Sequence, residues 1–179
     1  MDPVDPDEIN RVNRARWDEL ASIHGRGDRI YDVDALAGGA DSRTRFEREA
    51  VAAALGTDPG GPLDGARILH LQSHIAFDSI SMARLGAQVT AVDFSPVALE
   101  RARELAQVCG VALETVESDA TDLPGSLDGR FDLVYASIGA ICWIGDIEAW
   151  MRAVAGALDE GGALVLYDCH PAVGMLKSV

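Results

Sequence analysis

From Ala66 to Tyr167, short apolar runs alternate with stretches of helical periodicity. This alternation is typical of repeated βαβ units and a parallel sheet. The apolar runs predict strands at Arg67–Leu71, Gln88–Val92, Leu113–Glu117, Phe131–Ala136 and Ala163–Tyr167. The fold class is therefore predicted as α/β, with a doubly wound, mostly parallel sheet and helices on both faces. In such sheets ligands bind beyond the carboxyl ends of the strands.

Two helices within this alternation have boundaries that the sequence marks. Ser95 is a predicted N-cap followed by a proline, and Gly110 ends the helix that starts there. Asp146 predicts the start of the other helix, whose apolar period continues through Leu158 until the Gly161-Gly162 pair. Both helices fit as connections between parallel strands.

Residues 1–62 have a different pattern. Glu8 to about His24 carries an apolar stripe compatible with a helix, and a second helix around Phe46–Ala54 is ended by Gly56. We therefore predict a helical lid or cap in residues 1–62 over a ligand-binding domain in residues 63–179, the two forming one structural unit.

The formal net charge of -14 restricts the partners of the chain. An acidic surface repels phosphates, so nucleic acid is disfavoured. The N-terminus lacks the basic and apolar regions of a signal peptide, and no uncharged apolar run approaches membrane-spanning length. We expect a cytoplasmic protein with a small-molecule ligand, no nucleic acid partner and no membrane partner.

Cys109, Cys142 and Cys169 are far apart in the sequence and in no CxxC pair. This spacing indicates neither a disulfide framework nor a zinc site. We predict that the cysteines are buried as small apolar residues, and we predict no metal site.

The residue that follows the second predicted strand is Asp93. Nucleoside-binding sheets place a carboxylate at this position, about 20 residues beyond the first strand, to bind ribose hydroxyls. The turn from His70 to Asp78 lacks the glycines that let a backbone approach a pyrophosphate. A nicotinamide-dependent oxidoreductase is disfavoured for that reason, and also because Lys177 is the only lysine and no Tyr-x-x-x-Lys pair exists. A cofactor without phosphates does not need glycines in this turn to the same extent, because no pyrophosphate has to approach the backbone.

The stretch Ile68-Leu-His-Leu-Gln-Ser-His-Ile-Ala-Phe-Asp78, with its continuation to Pro96, resembles class I, Rossmann-like S-adenosylmethionine-dependent methyltransferases. It is similar to the branch whose first motif reads His-Leu-Gln-Cys-His. Residues 131–146, 168–171 and 13–18 are similar to that branch too. The resemblance implies S-adenosylmethionine as cofactor, S-adenosylhomocysteine as product and methyl transfer to a small molecule.

Carried over by position, the resemblance implies cofactor contacts at the ends of several strands. These positions are Gln72, Ser73 and His74 at the methionine end, Asp93 with Phe94 and Ser95 at the ribose and adenine, Asp119 and Ala120 at the adenine amine, and Ser137 and Ile138 as a floor. Phe94 has the alternative of being a core residue. Asp119 has the alternative of capping the turn that contains Thr121.

In-line methyl transfer needs a general base only when the acceptor must lose a proton. The predicted bases are His170, His24 and Tyr31, with His170 favoured because it follows the carboxyl end of a strand. Each has the alternative of a structural hydrogen-bonding role.

The sequence departs from the branch at two places. Ser73 replaces Cys, and Ala76 replaces Gly in the turn nearest the cofactor, where its methyl group either crowds the cofactor or displaces it slightly. The family continues through two further strands, whereas this sequence stops at Val179. We therefore expect a sheet that lacks the last two strands, with a homo-oligomer contact or another partner covering its exposed edge.

Two alternatives to a methyltransferase stay open at this point. One is a catalytically silent or truncated scaffold domain that kept the fold. The other is an enzyme that uses the cofactor's positive charge without transferring its methyl group.

Overall fold

The computed structural model describes residues 6–27, 30–170 and 172. The elements in chain order are α1 (Pro6–Ile23), α2 (Val33–Ala37), α3 (Arg45–Leu55), β1 (Arg67–Leu71), α4 (Phe77–Arg84), β2 (Gln88–Asp93), α5 (Pro96–Cys109), β3 (Glu114–Glu117), β4 (Phe131–Ala136), α6 (Ile147–Ala157) and β5 (Leu158–Leu166). Short 3-10 turns lie at Gly125–Leu127 and Ile141–Trp143. Pro171 and Lys177 fall outside the described residues.

The strands form a single parallel sheet in the order β3-β2-β1-β4-β5. The strand order reverses at β1, which lies between β2 and β4, so a crevice forms beyond the carboxyl ends of these three strands. This arrangement confirms the predicted Rossmann-like fold class. In the described part of the chain, β3 and β5 are the edge strands, and the expected partner at β5 stays a prediction.

The central strands are buried on both faces, which is why they read as continuous apolar runs. On one face Leu69 and Val134 pack with Trp150 of α6. On the other face, the buried cluster around Ile68 includes Val51 of α3 together with residues of α4. Each aliphatic side chain buried in this way contributes about 1.5–3 kcal/mol. Helix α3 is therefore part of the sheet packing although it precedes β1.

Helix α1 contacts α5, as does α2. Its attachment includes a hydrogen bond of 2.5 Å from the Ser95 hydroxyl to the Asp18 carboxylate. None of the described helices is both long and apolar enough to cross a membrane.

The predicted helix ends are confirmed where a capping residue marks them. The Ser95 hydroxyl accepts the Ala98 N–H at the start of α5, and Gly110 closes that helix in the left-handed region. Helix α3 ends at Gly56, also left-handed. Local capping geometry thus carries over directly from sequence to structure.

The predicted boundary between the last helix and the last strand was wrong. Helix α6 ends at Ala157, and Leu158 already pairs with Phe131 as the first residue of β5. The pairing register then shifts, so that Ala163 lies opposite Leu133. The two glycines belong to this irregularity in the strand, where a Cβ on Gly162 would lie 2.9 Å from the Phe131 carbonyl oxygen.

The prediction of buried cysteines was also wrong for two of the three. Cys142 and Cys169 are exposed and Cys109 is half-buried, all as free thiols. Cys142 and Cys169 lie in the loops that follow β4 and β5, which are at the surface beyond the sheet core.

Candidate functional site

Two adjoining cavities lie at the carboxyl ends of β1, β2 and β4. The inner cavity has a volume of about 290 Å³ and the outer cavity one of about 230 Å³. Gln72, Phe94 and Trp143 line both, so the two form one cleft. Every residue predicted to bind a cofactor lines this cleft except Ser95, which caps α5 and binds Asp18 instead.

The loop after β1 has an unusual backbone. Gln72, His74 and Ala76 have φ values of 53°, 49° and 60°, in the left-handed region that non-glycine residues enter at a cost of about 1–2 kcal/mol each. The Ser73 N–H donates to the Val92 carbonyl at 2.9 Å, and the His74 N–H donates to the Asp93 carboxylate at 2.8 Å. These bonds to β2 hold the loop in its strained backbone conformation. Backbone strain of this kind is found mainly at ligand-binding and active sites.

Asp93 organises this loop and also lines the inner cavity. Its carboxylate accepts the backbone N–H groups of His74 and Ser95 at 2.8 and 2.9 Å. Burial raises the pKa of Asp93 to about 6, although both hydrogen bonds favour the charged form; the nearby Asp18 raises the pKa further, and Arg14 lowers it.

The outer cavity is built around Asp119. One carboxylate oxygen accepts the backbone N–H and the hydroxyl of Thr121 at 2.8 and 2.7 Å. The other accepts the side-chain amide of Asn10 at 2.9 Å, and the Arg14 guanidinium lies 5.8 Å from the centre of the Phe94 ring. Asp119 therefore caps its turn, as the alternative proposed, and lines the cavity as well. Helix α1 supplies the facing wall.

Aromatic side chains cover the inner cavity. The His74 ring lies 5.1 Å from Trp17, 5.1 Å from His24 and 5.4 Å from Tyr31, centre to centre. His24 Nδ1 and His74 Nε2 share a hydrogen bond of 2.9 Å. Tyr31 lines the cavity, whereas His24 is reached through His74. The structure therefore brings two of the three predicted bases together.

The third predicted base lies apart from them. His170 is exposed, and its Nδ1 accepts the Ala172 N–H at 3.2 Å. It does not line either cavity. The nearby residue with a clear role is Asp168, whose carboxylate accepts the N–H groups of Gly139 and Ile141 at 2.7 and 2.9 Å. Asp168 thereby holds the loop after β4, which forms part of the cavity wall.

The methyl group of Ala76 does not face the cleft. Ala76 is fully buried in a small cluster with Ala91 and Ala102 and lines neither cavity. The departure from glycine therefore places a methyl group in the core beneath the loop rather than against a ligand.

Sequence reasoning missed the far end of the inner cavity. We name Glu47, Asp78, Tyr135 and His70 the acidic end. The Tyr135 hydroxyl donates to Glu47 at 2.6 Å, and the Asp78 carboxylate lies 3.3 Å from the same hydroxyl. In the sequence, the position of Glu47 three residues after Thr44 indicates only a helix capping box. The structure contains this capping box. No local pattern links these four positions.

Several buried polar atoms of residues that line the cleft have no hydrogen-bond partner in the described part of the chain. They are His70 Nε2, Gln72 Oε1 and Ser73 Oγ. Buried polar atoms are nearly always bonded, so their presence fits a polar ligand in the cleft. Among the described residues, no group of three or more His, Cys, Asp or Glu side chains is arranged to hold a metal ion.

A parallel sheet of this order, with a carboxylate at the end of β2 and a polar cleft above β1, defines a nucleoside-binding protein of the Rossmann-like class. The family described as "Methyltransferase domain" matches residues 68–162, more than half of the chain. The chain belongs to this family of S-adenosylmethionine-dependent methyltransferases. The predicted cofactor is thereby confirmed at the level of the family.

Individual relatives agree with this membership. The chain is 38% identical over 104 residues to the ubiquinone biosynthesis O-methyltransferase of Xanthomonas euvesicatoria pv. vesicatoria, a match that covers 58% of this chain and 43% of that protein. The chain thus spans less than half the length of such curated relatives.

Solved structures show the same fold. An S-adenosylmethionine-dependent methyltransferase from Thiobacillus denitrificans, in complex with S-adenosylhomocysteine, is 25% identical with a TM-score of 0.53 over 78% of this chain and 54% of that one. A phosphoethanolamine N-methyltransferase of Haemonchus contortus is 14% identical with a TM-score of 0.64 over 91% of this chain and 33% of that one. The second likeness is one of fold alone.

Proposed function

We propose that this protein transfers the methyl group of S-adenosylmethionine to a small-molecule acceptor. The observation that carries the proposal is the continuous cleft from Asp119 past Asp93 to His74, whose walls contain the residues expected to bind this cofactor. Its buried polar atoms, which have no hydrogen-bond partner among the described residues, fit a ligand with hydroxyl and charged groups.

Each part of the cofactor has a matching set of residues. The outer cavity offers the Phe94 ring and the Asp119 carboxylate to the adenine, and Asp93 offers an acceptor to the ribose hydroxyls. Gln72 and Ser73 face the methionine portion with their unpaired oxygens. When bound, the cofactor supplies an electrophilic methyl group on a sulfonium.

The acceptor is proposed to lie under the aromatic cover. Trp17, Tyr31, Phe77 and Trp143 line the inner cavity together with Ile138. These side chains favour an acceptor with an apolar body, and they exclude water from its reacting atom. We propose that α1 and the segment through Tyr31 act as the lid, within the predicted division into residues 1–62 and 63–179.

Most of the rate enhancement is proposed to come from holding the acceptor in line with the methyl group. Where the acceptor must lose a proton, Tyr31 and the hydrogen-bonded pair of His24 and His74 are the proposed bases, since they lie on the cavity or directly behind it. His170 has no contact with the cleft among the described residues, so it ranks below them.

Calorimetric titration with S-adenosylmethionine and S-adenosylhomocysteine tests the proposal. Loss of an acceptor for charge-assisted hydrogen bonds predicts that Asp93→Ala weakens binding by about tenfold to a hundredfold. Asp128→Ala is the matched control, because this exposed carboxylate precedes β4 at the opposite edge of the sheet. A folded wild-type protein that binds neither ligand would refute the cofactor site and favour the silent scaffold.

Product analysis separates the remaining alternative. An acceptor that gains one methyl group as S-adenosylhomocysteine accumulates supports transferase chemistry. A rearranged acceptor of unchanged mass, with the cofactor recovered intact, would instead identify an enzyme that uses only the cofactor's charge.

A further inference from the structure

The loops that follow β4 and β5 each carry an exposed free thiol. Cys142 lies in the 3-10 turn Ile141–Trp143, and Cys169 lies shortly after the end of β5. Because β4 and β5 pair in parallel, the two loops leave the sheet side by side at its carboxyl edge. The fold therefore places two thiols that are far apart in the sequence on neighbouring loops.

Asp168 holds these two loops together. Its Oδ1 atom accepts the Gly139 N–H at 2.7 Å and the Cys169 N–H at 2.6 Å. Its Oδ2 atom accepts the Ile141 N–H at 2.9 Å, next to Cys142 in the chain. A disulfide requires closely spaced backbone segments, and this shared carboxylate supplies that spacing.

The Cys142 side chain is directed toward the same anchor. Its Sγ donates to the Gly139 carbonyl at 3.1 Å, and the N–H of Gly139 shares an acceptor with the N–H of Cys169. Burial of part of the side chain raises the pKa of the Cys142 thiol, and the nearby Asp168 carboxylate and Cys169 thiolate raise it further. The two sulfur atoms therefore lie close enough to interact electrostatically.

We propose that Cys142 and Cys169 form a reversible disulfide that acts on the wall of the cleft. The link requires the Cys142 Sγ to leave the Gly139 carbonyl, so it moves the turn that also carries Trp143. Trp143 lines both cavities. The effect on ligand binding rests on the proposed function, whereas the disulfide itself does not.

The oxidant is a low-molecular-weight disulfide such as oxidised glutathione. The thiolate of one cysteine attacks it, a mixed disulfide forms, and one glutathione leaves as its thiolate. The thiolate of the other cysteine attacks the protein sulfur of that mixed disulfide and displaces the second glutathione. Two protein thiols thus lose two electrons and two protons, and one oxidised glutathione becomes two reduced glutathione molecules.

Mass spectrometry after incubation with oxidised glutathione tests the disulfide. An alkaline buffer is used, because the raised pKa of Cys142 leaves little thiolate at pH 7. The wild type is expected to lose two hydrogen atoms and to yield a peptide in which Cys142 is linked to Cys169. Cys142→Ser and Cys169→Ser each leave one exposed thiol, so a glutathione adduct is expected there instead. Cys109→Ser is the matched control and should form the same link as the wild type.

Calorimetry of the oxidised and reduced wild type tests the effect on the cleft. The ligands are S-adenosylhomocysteine and 5′-methylthioadenosine, which keeps the adenosine and sulfur but lacks the amino acid portion. Because Trp143 lines both cavities, oxidation should weaken binding of both ligands by about threefold to tenfold, the effect of one displaced aromatic contact. Dithiothreitol should restore both constants. The double variant Cys142→Ser/Cys169→Ser should bind each ligand equally before and after the treatment.

Two results overturn the inference. One is a wild type that yields only glutathione adducts or links between two molecules, since the two thiols then do not reach each other. The other is a complete intramolecular disulfide that leaves both dissociation constants unchanged, since the link then does not act on the cleft wall. Failure of the proposed function gives a different result: the reduced protein binds neither ligand, while mass spectrometry still decides whether the disulfide forms.

Discussion

The two ends of the cleft are both acidic, but their carboxylates are held differently. At the end proposed to bind the adenosyl group, named the adenosyl end, Asp93 and Asp119 each accept an N–H from the residue two positions later, Ser95 and Thr121. At the acidic end, Glu47 and Asp78 receive the Tyr135 hydroxyl from 88 and 57 residues away in the chain. One end is organised by local turns and the other by the tertiary fold.

This difference has an energetic consequence. At the adenosyl end, N–H groups of adjacent turns oppose part of the cost of burying the carboxylates, although burial still raises the pKa of Asp93 to about 6. At the acidic end two buried carboxylates share one hydroxyl donor. Burying them without a ligand therefore costs free energy of folding. Such a cost is typical of functional sites.

The largest expected effect concerns the shared hydroxyl. Tyr135→Phe removes the donor between two buried carboxylates and should lower the free energy of unfolding by about 2 kcal/mol at pH 8. The loss should be smaller at pH 5, because burial raises the pKa of Asp78 and a protonated carboxyl can act as a donor itself. Urea denaturation at both pH values measures this.

Tyr167→Phe is the control for that experiment, because the Tyr167 hydroxyl forms no hydrogen bond with the described residues. Equal losses in the two variants would mean that the acidic end depends on its hydroxyl no more than the surroundings of the half-buried Tyr167 depend on theirs.

The contrast between local turns and tertiary packing also explains which features could be predicted from the sequence. The strand pattern, Asp93 and the caps Ser95 and Gly110 depend on neighbours within a few residues, and the structure has them as predicted. The acidic end depends on the β1–β4 pairing and on the packing of α3, which no local pattern encodes. The early start of β5 at Leu158 was missed for the same reason, since a register shift against β4 determines it.

The second effect uses pH to test the adenosyl end. The proposed site has ribose hydroxyls donating to an ionised Asp93, whose pKa burial raises to about 6. Affinity should therefore fall as pH drops through that value, by about tenfold between pH 7 and pH 5. Methylthioadenosine and S-adenosylhomocysteine should share this dependence, because both keep the ribose. A pH-independent methylthioadenosine constant would contradict the role of Asp93.

Stability should show the opposite trend in the absence of ligand. Because folding raises the pKa of Asp93 from 3.8 to about 6, the folded chain holds this proton more tightly than the unfolded chain. The contribution to stability is complete below the unfolded value and is lost as pH rises through about 6. Asp93→Asn should flatten this part of the profile of unfolding free energy against pH.

A smaller effect is expected where the lid meets the outer cavity. Asn10→Ala removes an exposed hydrogen bond of 2.9 Å to Asp119 and should weaken binding of both ligands by about threefold, since exposed polar contacts contribute about 0.5–1 kcal/mol. Arg16→Ala on the same helix, which lines neither cavity and whose partner Glu19 is exposed, is the control for a general loss of helix stability. An effect confined to S-adenosylhomocysteine would contradict the assignment of this cavity to adenine.

The smallest effect concerns Ala76, between the two ends. Ala76→Gly relieves a left-handed φ of 60°, worth about 1 kcal/mol, but it removes a buried methyl group worth about 0.8 kcal/mol and makes the unfolded chain more flexible. These terms nearly cancel, so the free energy of unfolding should change by less than about 1 kcal/mol. Because the methyl group packs on Ala91 and Ala102 and lines neither cavity, both ligands should bind as before. Chemical denaturation and calorimetry check the two expectations, and tighter binding of either ligand in the glycine variant would mean that the methyl group does press on the cleft.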